Sequence, residues 1–387
     1  MRKILIFNGY YYPSKNCGGP ITSYENIINA CSDEYDFYVA CYDHDFNDMT
    51  PFGKEKGVWH QVGKAKVQYF DQGELDYSKK RMMSFLESLS PDLIWFSGIL
   101  TPNNKLVAVS CARQLNIPVL FSPRGEVSAD RIVLKGWKKK PYLFLLKLFN
   151  MYKGCFFHGT SADEIEGLKK YFNPDEHHLF NIPNIAILQQ PELVKHQKEV
   201  GVLHAMFFSR IHEVKNILYA VQAIAKCKQN IIYDVYGPIE SEGYWNECVK
   251  VAENAGSNIK LNYCGILSKT DLSRVIQEHD CFIFPTINEN YGHVIAETLA
   301  NSRPVILSKG TTPWDDLHEK AGYVISLGNP EEFTEKIDYL ASLGQEEYQN
   351  LIKSTASYFN KKIEENGAVE GHKKMFESIC KIYNQSV

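Results

Sequence analysis

The chain has 387 residues, too many for one ordinary hydrophobic core, so two domains are expected. Hydrophobic residues make up 44% of the chain and charged residues 23%, as in a globular protein. The net charge of −4 gives no electrostatic basis for nucleic-acid binding as the main function. The 10 cysteines include no CxxC pair, and several lie in apolar runs, which predicts buried free thiols and neither disulfides nor a zinc site.

The N-terminus is basic and then apolar, but its apolar run ends at Asn8, too early for a signal peptide. No segment approaches the roughly 20 apolar residues that a membrane-spanning helix needs. The expected localisation is therefore cytoplasmic. Residues 135–153 mix lysines with Trp, Tyr, Leu and Phe, a composition that can bind the inner face of an anionic membrane. A helix that packs its apolar face on the first sheet is the alternative.

The first half of the chain alternates short apolar runs with helical patterns. Such alternation predicts a parallel sheet with helices on both faces. The predicted strands are 3–7, 36–42, 93–96, 119–121 and 155–158, and the predicted helices are 21–31, 79–89, 104–115 and 141–152.

The second half repeats this alternation. Its predicted strands are 202–208, 231–236, 259–264, 281–284, 305–308 and 322–325, and its predicted helices are 216–226, 244–255, 269–278, 292–300 and 331–343. A helical stretch at 346–385 follows, and a polar segment within 183–199 predicts the join between the halves. The fold class is thus α/β, with two Rossmann-like parallel-sheet domains, residues 1–190 and 200–369, facing across a cleft.

Two carboxylates flank a predicted helix start in the second half. Glu289 precedes the helix and Glu297 lies inside it, on the order of 10 Å further along the axis. Between them, the N–H groups of Gly292, His293 and Val294 form an anion site at the helix start. This order suits a nucleotide-diphosphate sugar, which presents sugar hydroxyls, diphosphate and ribose hydroxyls. The alternative is that Glu289 is an ordinary charge on a loop and that Glu297 lies on a solvated helix face.

Two cations lie on one strand-to-helix connection. Arg210 follows a predicted strand and Lys215 precedes a predicted helix. A guanidinium fork and an ammonium point charge can converge on a diphosphate and neutralise the charge that grows on it as it leaves. Surface charges without a common ligand are the alternative.

The ordered set of motifs resembles that of retaining GT-B glycosyltransferases of family 4 over nearly the whole chain. The motifs are Gly18-Gly19-Pro20, Ser209-Arg210 with Lys215-Asn216, Tyr236-Gly237-Pro238, Tyr263-Cys264-Gly265, and Glu289 and Glu297 with Arg303-Pro304. Four further motifs resemble those of the bacterial subgroup that assembles capsule, O-antigen or exopolysaccharide. They are Ser122-Pro123-Arg124-Gly125, His158-Gly159-Thr160-Ser161, Glu289-Asn290-Tyr291-Gly292-His293 and Thr312-Pro313-Trp314-Asp315.

The resemblance implies roles for individual residues. Arg210 and Lys215 hold the diphosphate, Glu289 contacts the transferred sugar and Glu297 binds the ribose. The other residues implied at the donor are Gly19, Gly237, Pro238, Ile266 beside the base, Asn290, Tyr291, Gly292, His293 and Val294. Asn290 stands where the family often has a small residue.

In the first half, Arg124 stands where many family members carry histidine beside the reaction centre. An arginine cannot act as a general base, so a catalytic role for Arg124 is electrostatic. Glu126 is a candidate for orienting the acceptor. A structural pair between Arg124 and Glu126 is the alternative for both.

The expected function is a retaining glycosyltransferase that moves a sugar from a UDP- or GDP-sugar to a glycan or lipid-linked acceptor in bacterial surface polysaccharide biosynthesis. The C-terminal helix, about 370–387, is expected to cross back to the first domain, as in the resembled fold. No metal or other cofactor is expected, because the acidic run from Asp43 to Asp48 is typical of a polar turn. Two alternatives are a GT-B nucleotide-sugar epimerase and a catalytically silent nucleotide-sugar-binding subunit.

Overall fold

The computed structural model describes residues 1–14, 18–46, 48–74, 78–100, 103–127, 136–148, 151–186 and 196–386. These residues form two compact units. Unit 1 comprises Met1–Ile185 and Gly367–Val387, and unit 2 comprises Ala186–Asn366. The segment Gln189-Gln190-Pro191, which suggests a linker in the sequence, lies outside the described residues.

Unit 1 is built on an eight-stranded sheet. Its strands are β1 (Arg2–Phe7), β2 (Tyr35–Tyr42), β3 (His60–Val62), β4 (Ala65–Phe70), β5 (Leu93–Ser97), β6 (Val119–Ser122), β7 (Phe156–Gly159) and β8 (Leu179–Asn181). Their order in the sheet is β3-β4-β2-β1-β5-β6-β7-β8. Each neighbouring pair is parallel except the edge pair β3–β4.

The helices of unit 1 before the chain enters unit 2 connect these strands. They are α1 (Gly18–Cys31), α2 (Lys79–Leu89), α3 (Asn103–Gln114), α4 (Gly136–Leu148) and α5 (Ala162–Phe172). Helix α4 starts five residues before the predicted start at Pro141, which lies inside it. Proline is favoured in the first turn of a helix, and this preference places the predicted start too late.

The sequence does not predict β3, β4, β8 or α5. Strands β3 and β8 have only three residues each, too few for a periodic pattern to be visible. Helix α5 did carry a signal: Ser161 caps it by accepting a hydrogen bond from the Glu164 amide, the spacing of a capping box.

Unit 2 is built on a six-stranded parallel sheet. Its strands are β9 (Val202–Phe208), β10 (Asn230–Tyr236), β11 (Ile259–Tyr263), β12 (Cys281–Phe284), β13 (Val305–Ser308) and β14 (Gly322–Ile325), in the order β11-β10-β9-β12-β13-β14. Its helices are α6 (Ile217–Ile224), α7 (Glu242–Glu253), α8 (Lys269–Glu278), α9 (His293–Ala300), α10 (Pro330–Ser342) and α11 (Gln345–Asn366). The predicted fold class, α/β with a parallel sheet in each of two domains, is confirmed.

The last helical stretch is two helices and not one. Gly367 lies between α11 and α12 (Ala368–Ser386) with a φ of 56°, a left-handed conformation that ends a helix and favours glycine. Helix α12 belongs to unit 1, where Phe376 is fully buried with its ring centre 5.4 Å from that of Trp95. None of the described helices is both long enough and apolar enough to cross a membrane.

Replacing Phe376 with alanine should leave a cavity between α12 and the unit 1 sheet. We expect the free energy of unfolding to fall by about 3–5 kcal/mol. Chemical denaturation followed by tryptophan fluorescence measures this loss, because Trp95 contacts Phe376. The control is Lys381→Ala on an exposed part of the same helix, which should cost less than about 0.5 kcal/mol. Equal losses in the two variants would contradict the packing role of Phe376.

Candidate functional site

The carboxyl ends of β9 and β12 meet in unit 2, because these strands are neighbours in a parallel sheet. The turn after β9 and the loop after β12 are joined by hydrogen bonds. The Val214 carbonyl accepts from the Ile287 amide at 2.9 Å and from the Thr286 hydroxyl at 3.1 Å. The Asn216 side-chain amide donates to the Pro285 carbonyl at 3.0 Å. Residues about 70 positions apart are thereby held side by side.

Lys215 and Glu289 form an ion pair at this edge of the sheet. The Lys215 ammonium donates to the Glu289 carboxylate and lies 5.5 Å from the centre of the Phe284 ring. Their side chains are 12% and 21% exposed, so both are accessible yet partly shielded from water. The structure brings these two predicted site residues together.

Arg210 lies at the end of β9 but pairs elsewhere. Its Nη1 donates to Oε1 of Glu240 at 2.6 Å, and its side chain is 45% exposed. The sequence predicts that Arg210 and Lys215 converge on one diphosphate. In the structure each cation instead pairs with its own carboxylate, Arg210 with Glu240 and Lys215 with Glu289.

The predicted anion site at the start of helix α9 lies next to Glu289. Helix α9 begins at His293, directly after Gly292, and the amide N–H groups of a helix's first turn point toward an anion at its N-terminus. The Trp314 indole donates to the Tyr291 carbonyl at 2.6 Å, which fixes the loop that contains Asn290. Val294 is the second residue of the helix.

Glu297 is buried, 8% exposed, which excludes the interpretation that it lies on a solvated helix face. Burial raises its pKa to about 7, and the nearby Lys269 ammonium opposes this shift. Lys269 begins helix α8, and burial lowers the pKa of its own ammonium. Near neutral pH the Glu297 carboxyl therefore exists in both protonation states.

The ends of β9, β10 and β11 form the other side of the site. The Gly237 amide donates to the Gly265 carbonyl at 2.8 Å, and the Ile211 amide donates to the Pro238 carbonyl at 2.9 Å. Gly237 has a φ of 136°, and any Cβ at this position would overlap the Ser209 carbonyl oxygen. Only glycine fits there. Ile266 follows, with 53% of its surface exposed.

The predicted site residues of the first domain lie in unit 1. Gly19 is in the first turn of α1. Glu126 does not pair with Arg124, so that alternative is wrong: its carboxylate accepts from the amides of Ile99 and Leu100, the latter at 2.8 Å. Arg124 donates from Nη1 to Oδ1 of Asn184 at 2.6 Å.

Within the described parts of the chain, no group of three His, Cys, Asp or Glu side chains is placed to hold a metal ion. In the acidic run after β2, Asp43 pairs with Lys56 at 2.7 Å, and Asp45 accepts a hydrogen bond from Ser14.

Comparison with known proteins identifies the second half of the chain. Residues 190–357 match the family of glycosyl transferases group 1. The matched residues lie within unit 2 and make up less than half of the chain. No curated protein sequence matches the chain.

Solved structures resemble the whole chain at low sequence identity. A glycosyltransferase from Rickettsia africae has a TM-score of 0.68 at 14% identity, covering 99% of this chain and 98% of that one. Anabaena Alr3699/HepE, solved with UDP and glucose, has 0.67 at 13% over 100% of both chains. WaaG, a glycosyltransferase of lipopolysaccharide biosynthesis, has 0.66 at 11%, covering 96% and 99%. The fold is therefore GT-B.

The sequence does not mark three residues at the unit 2 site: Glu240, Lys269 and Trp314. Glu240 is 30 positions from Arg210. Lys269 acts on Glu297 from another helix. No local pattern marks such partners, because strand order alone brings them together. Trp314 lies in the motif Thr312–Asp315, for which the sequence predicts no role.

The raised pKa of Glu297 predicts that the stability of unit 2 depends on pH. Its pKa rises from 4.5 unfolded to about 7 folded, so between these values the folded protein keeps a proton that the unfolded chain releases. The free energy of unfolding should fall as the pH rises through this window, by up to about 3 kcal/mol.

Urea denaturation at several pH values measures this effect. Glu297→Gln should remove that part of the pH dependence, whereas Glu253→Gln, an exposed carboxylate at the end of α7, should keep it. A wild-type slope that persists in the Glu297→Gln protein would assign the pH dependence to another group.

Proposed function

We propose that this chain is a retaining glycosyltransferase that moves a sugar from a UDP- or GDP-sugar to a glycan or lipid-linked acceptor in bacterial surface polysaccharide biosynthesis. The Lys215–Glu289 pair beside the start of α9, inside the group 1 domain, carries the proposal. The UDP and glucose in the Anabaena structure support the donor class, and the lipopolysaccharide role of WaaG supports the acceptor class.

The two cations bind the donor diphosphate by exchanging partners. Lys215 leaves Glu289 and Arg210 leaves Glu240, because a diphosphate carries more negative charge than one carboxylate and offers more acceptor oxygens. The amides of Gly292 to Val294 complete the contacts at the helix start. As the sugar–phosphate bond breaks, these groups neutralise the charge on the leaving diphosphate, so catalysis does not depend on a metal ion.

The two carboxylates bind hydroxyl groups. Glu289, released from Lys215, accepts hydrogen bonds from the transferred sugar, and the buried Glu297 accepts from the ribose. Hydroxyl donors favour the ionised carboxylate, so donor affinity rises as Glu297 loses its proton near pH 7. Ile266 covers one face of the base. Gly237 and Pro238 let the base approach the main chain closely.

The retaining stereochemistry is proposed from the family resemblance. On that account the leaving phosphate assists attack from the same face, and no protein nucleophile is needed. An anomeric assignment of the product by NMR tests this part separately. Conversion of the donor without acceptor would favour an epimerase, and donor binding without any turnover would favour a silent subunit.

Removing the Lys215 ammonium should reduce turnover far more than stability. We expect Lys215→Ala to lower kcat by on the order of 10²- to 10³-fold, the usual cost of losing one donor to a developing charge. The free energy of unfolding should change by about 1 kcal/mol or less, because a partly exposed ion pair contributes little. Donor hydrolysis and transfer assays measure turnover, and denaturation measures stability.

Lys226→Ala is the matched control. Lys226 is exposed just after α6, at the opposite edge of the sheet from the site, and its loss should leave kcat unchanged. Thermal shifts with UDP, GDP, ADP and their sugars, without metal, test donor binding directly. Wild-type kinetics in the Lys215→Ala protein, or no shift with any diphosphate at millimolar concentration, would refute the proposal.

We also propose that the protein is cytoplasmic and binds the inner membrane face through α4. Three apolar side chains of one helical turn face solvent: Phe144 is 64% exposed, Leu145 48% and Leu148 61%. Leu143 and Leu146 are buried and pack α4 on the unit 1 core. Residues 135–153 contain six lysines and no acidic residue, so the segment complements an anionic bilayer.

Replacing Phe144, Leu145 and Leu148 together with serine should abolish binding to vesicles that contain phosphatidylglycerol. Flotation at low salt measures binding, which high salt should weaken because the lysines contribute through screened charges. Val200→Ser, an exposed apolar residue of unit 2, should float like the wild type. The membrane proposal fails if the wild type does not float, or if the triple variant floats equally well.

A further inference from the structure

The guanidinium of Arg124 has an unused hydrogen-bonding edge. Arg124 follows β6 with a φ of 52°, and its Nη1 donates to Oδ1 of Asn184 at 2.6 Å. Its Cζ lies 4.7 Å from the centre of the Tyr24 ring and 5.8 Å from that of Trp95. Its Nε and Nη2 are buried and have no hydrogen-bond partner within the described residues. These two N–H groups form the parallel fork that binds a carboxylate or phosphate at two points.

Two carboxylates near this turn in the described part of unit 1, Glu126 and Glu164, have other partners. Glu126 accepts hydrogen bonds from the amides of Ile99 and Leu100, and it is the carboxylate that acts on the buried Lys105 ammonium. Glu164 accepts from the amide of Gly125 and from the Thr160 amide and hydroxyl. In the described part of unit 1, no carboxylate forms an ion pair with Arg124.

The imidazoles beside Arg124 are neutral. The Trp95 indole donates to the Ser122 hydroxyl at 2.8 Å, which leaves the hydroxyl proton for Nδ1 of His158 at 2.9 Å. The Nε2–H of His158 then donates to the Ile182 carbonyl at 2.9 Å, so the network is complete without a further proton. Burial, with the His372 ring and Arg124 nearby, lowers the pKa of His158 well below its usual range.

His372 of α12 is the second imidazole. Its ring centre lies 5.1 Å from that of His158, and its Nδ1–H donates to the Ala368 carbonyl at 2.8 Å. Burial lowers its pKa to about 4, and Arg124 contributes to this shift. With both imidazoles neutral, Arg124 is the charged group of this cluster.

A partly buried cation without a counter-ion is costly, and an unpaired buried donor adds to the cost. A buried unsatisfied polar group in a native protein needs an explanation, and an ion that satisfies it is one of the recurring ones. We propose that Arg124, held by Asn184 and stacked on Tyr24, binds a carboxylate or phosphate group of the acceptor. The acceptor is thus an acidic sugar or a phosphorylated glycan. The identification of the anion as part of the acceptor depends on the proposed function. The anion site itself is inferred from contacts within unit 1 alone.

The test measures anion binding in an Arg210→Ala/Lys215→Ala background, which removes both cations of unit 2 that could also bind phosphate. Sodium phosphate and sodium D-glucuronate are titrated against sodium chloride at matched ionic strength, with thermal stability and calorimetric affinity as readouts. The variants added to this background are Arg124→Gln, Arg124→Lys and Arg113→Gln. Arg113 is the control, because it is an exposed arginine of the same unit whose guanidinium donates to main-chain carbonyls.

We expect one of the two anions to stabilise the background protein and the Arg113→Gln variant equally. Arg124→Gln should lose the effect. Arg124→Lys, which keeps the charge but not the fork, should bind at least about tenfold more weakly. A stronger effect of glucuronate indicates an acidic sugar, and a stronger effect of phosphate indicates a phosphorylated acceptor.

Two results would overturn the inference: an anion effect that persists in Arg124→Gln, or no stabilisation by either anion in the background protein. If Arg124→Gln does not fold, the affinity of Arg124→Lys decides, because equal affinity in lysine and arginine forms would exclude recognition by the fork. Binding of UDP and GDP to the wild type is measured separately. The absence of both would refute the proposed function without affecting the result for Arg124.

Discussion

The hydrogen bonds between the turn after β9 and the loop after β12 are the constraint on which the unit 2 site depends. The Val214 carbonyl receives two of them, and the Asn216 side chain supplies the third. They form because parallel neighbouring strands leave the sheet at the same edge. Without them Lys215 would not meet Glu289, and the start of α9 would lie apart from both. One strand order therefore places an ammonium, a carboxylate and a helix N-terminus within one site.

Burial decides which groups near these sites carry charge. Burial of Glu297 inside unit 2 raises the pKa of its carboxyl to about 7. His158 and His372 lose their charge to burial, whereas a guanidinium keeps its proton in any protein environment. The same burial thus turns Glu297 into a pH-sensitive group and leaves Arg124 as an isolated cation. Composition alone does not distinguish these cases.

The two sheets differ in how clearly the sequence shows them. Each strand of unit 2 lies within one residue of its predicted ends. Apolar runs such as β12, Cys-Phe-Ile-Phe between Asp280 and Pro285, give the clearest signal. In unit 1 the two three-residue strands β3 and β8 give no such run. Strand β4 alternates Val67 and Tyr69 with Lys66 and Gln68 and is not predicted. The predicted start of α4 is five residues late, and the break at Gly367 is not predicted.

The sequence by itself determined the fold class, the six strands of unit 2 and the motif that contains Glu289, Gly292 and Glu297, since these depend on local periodicity and spacing. Only the tertiary structure decided which side chains meet. It gave Lys215 and Arg210 separate carboxylate partners, brought Lys269 to Glu297, and separated Arg124 from Glu126. The physical reason is that ion pairing and desolvation depend on distance and burial. Both depend on the strand order, and local sequence patterns do not show which distant residues the strand order brings together.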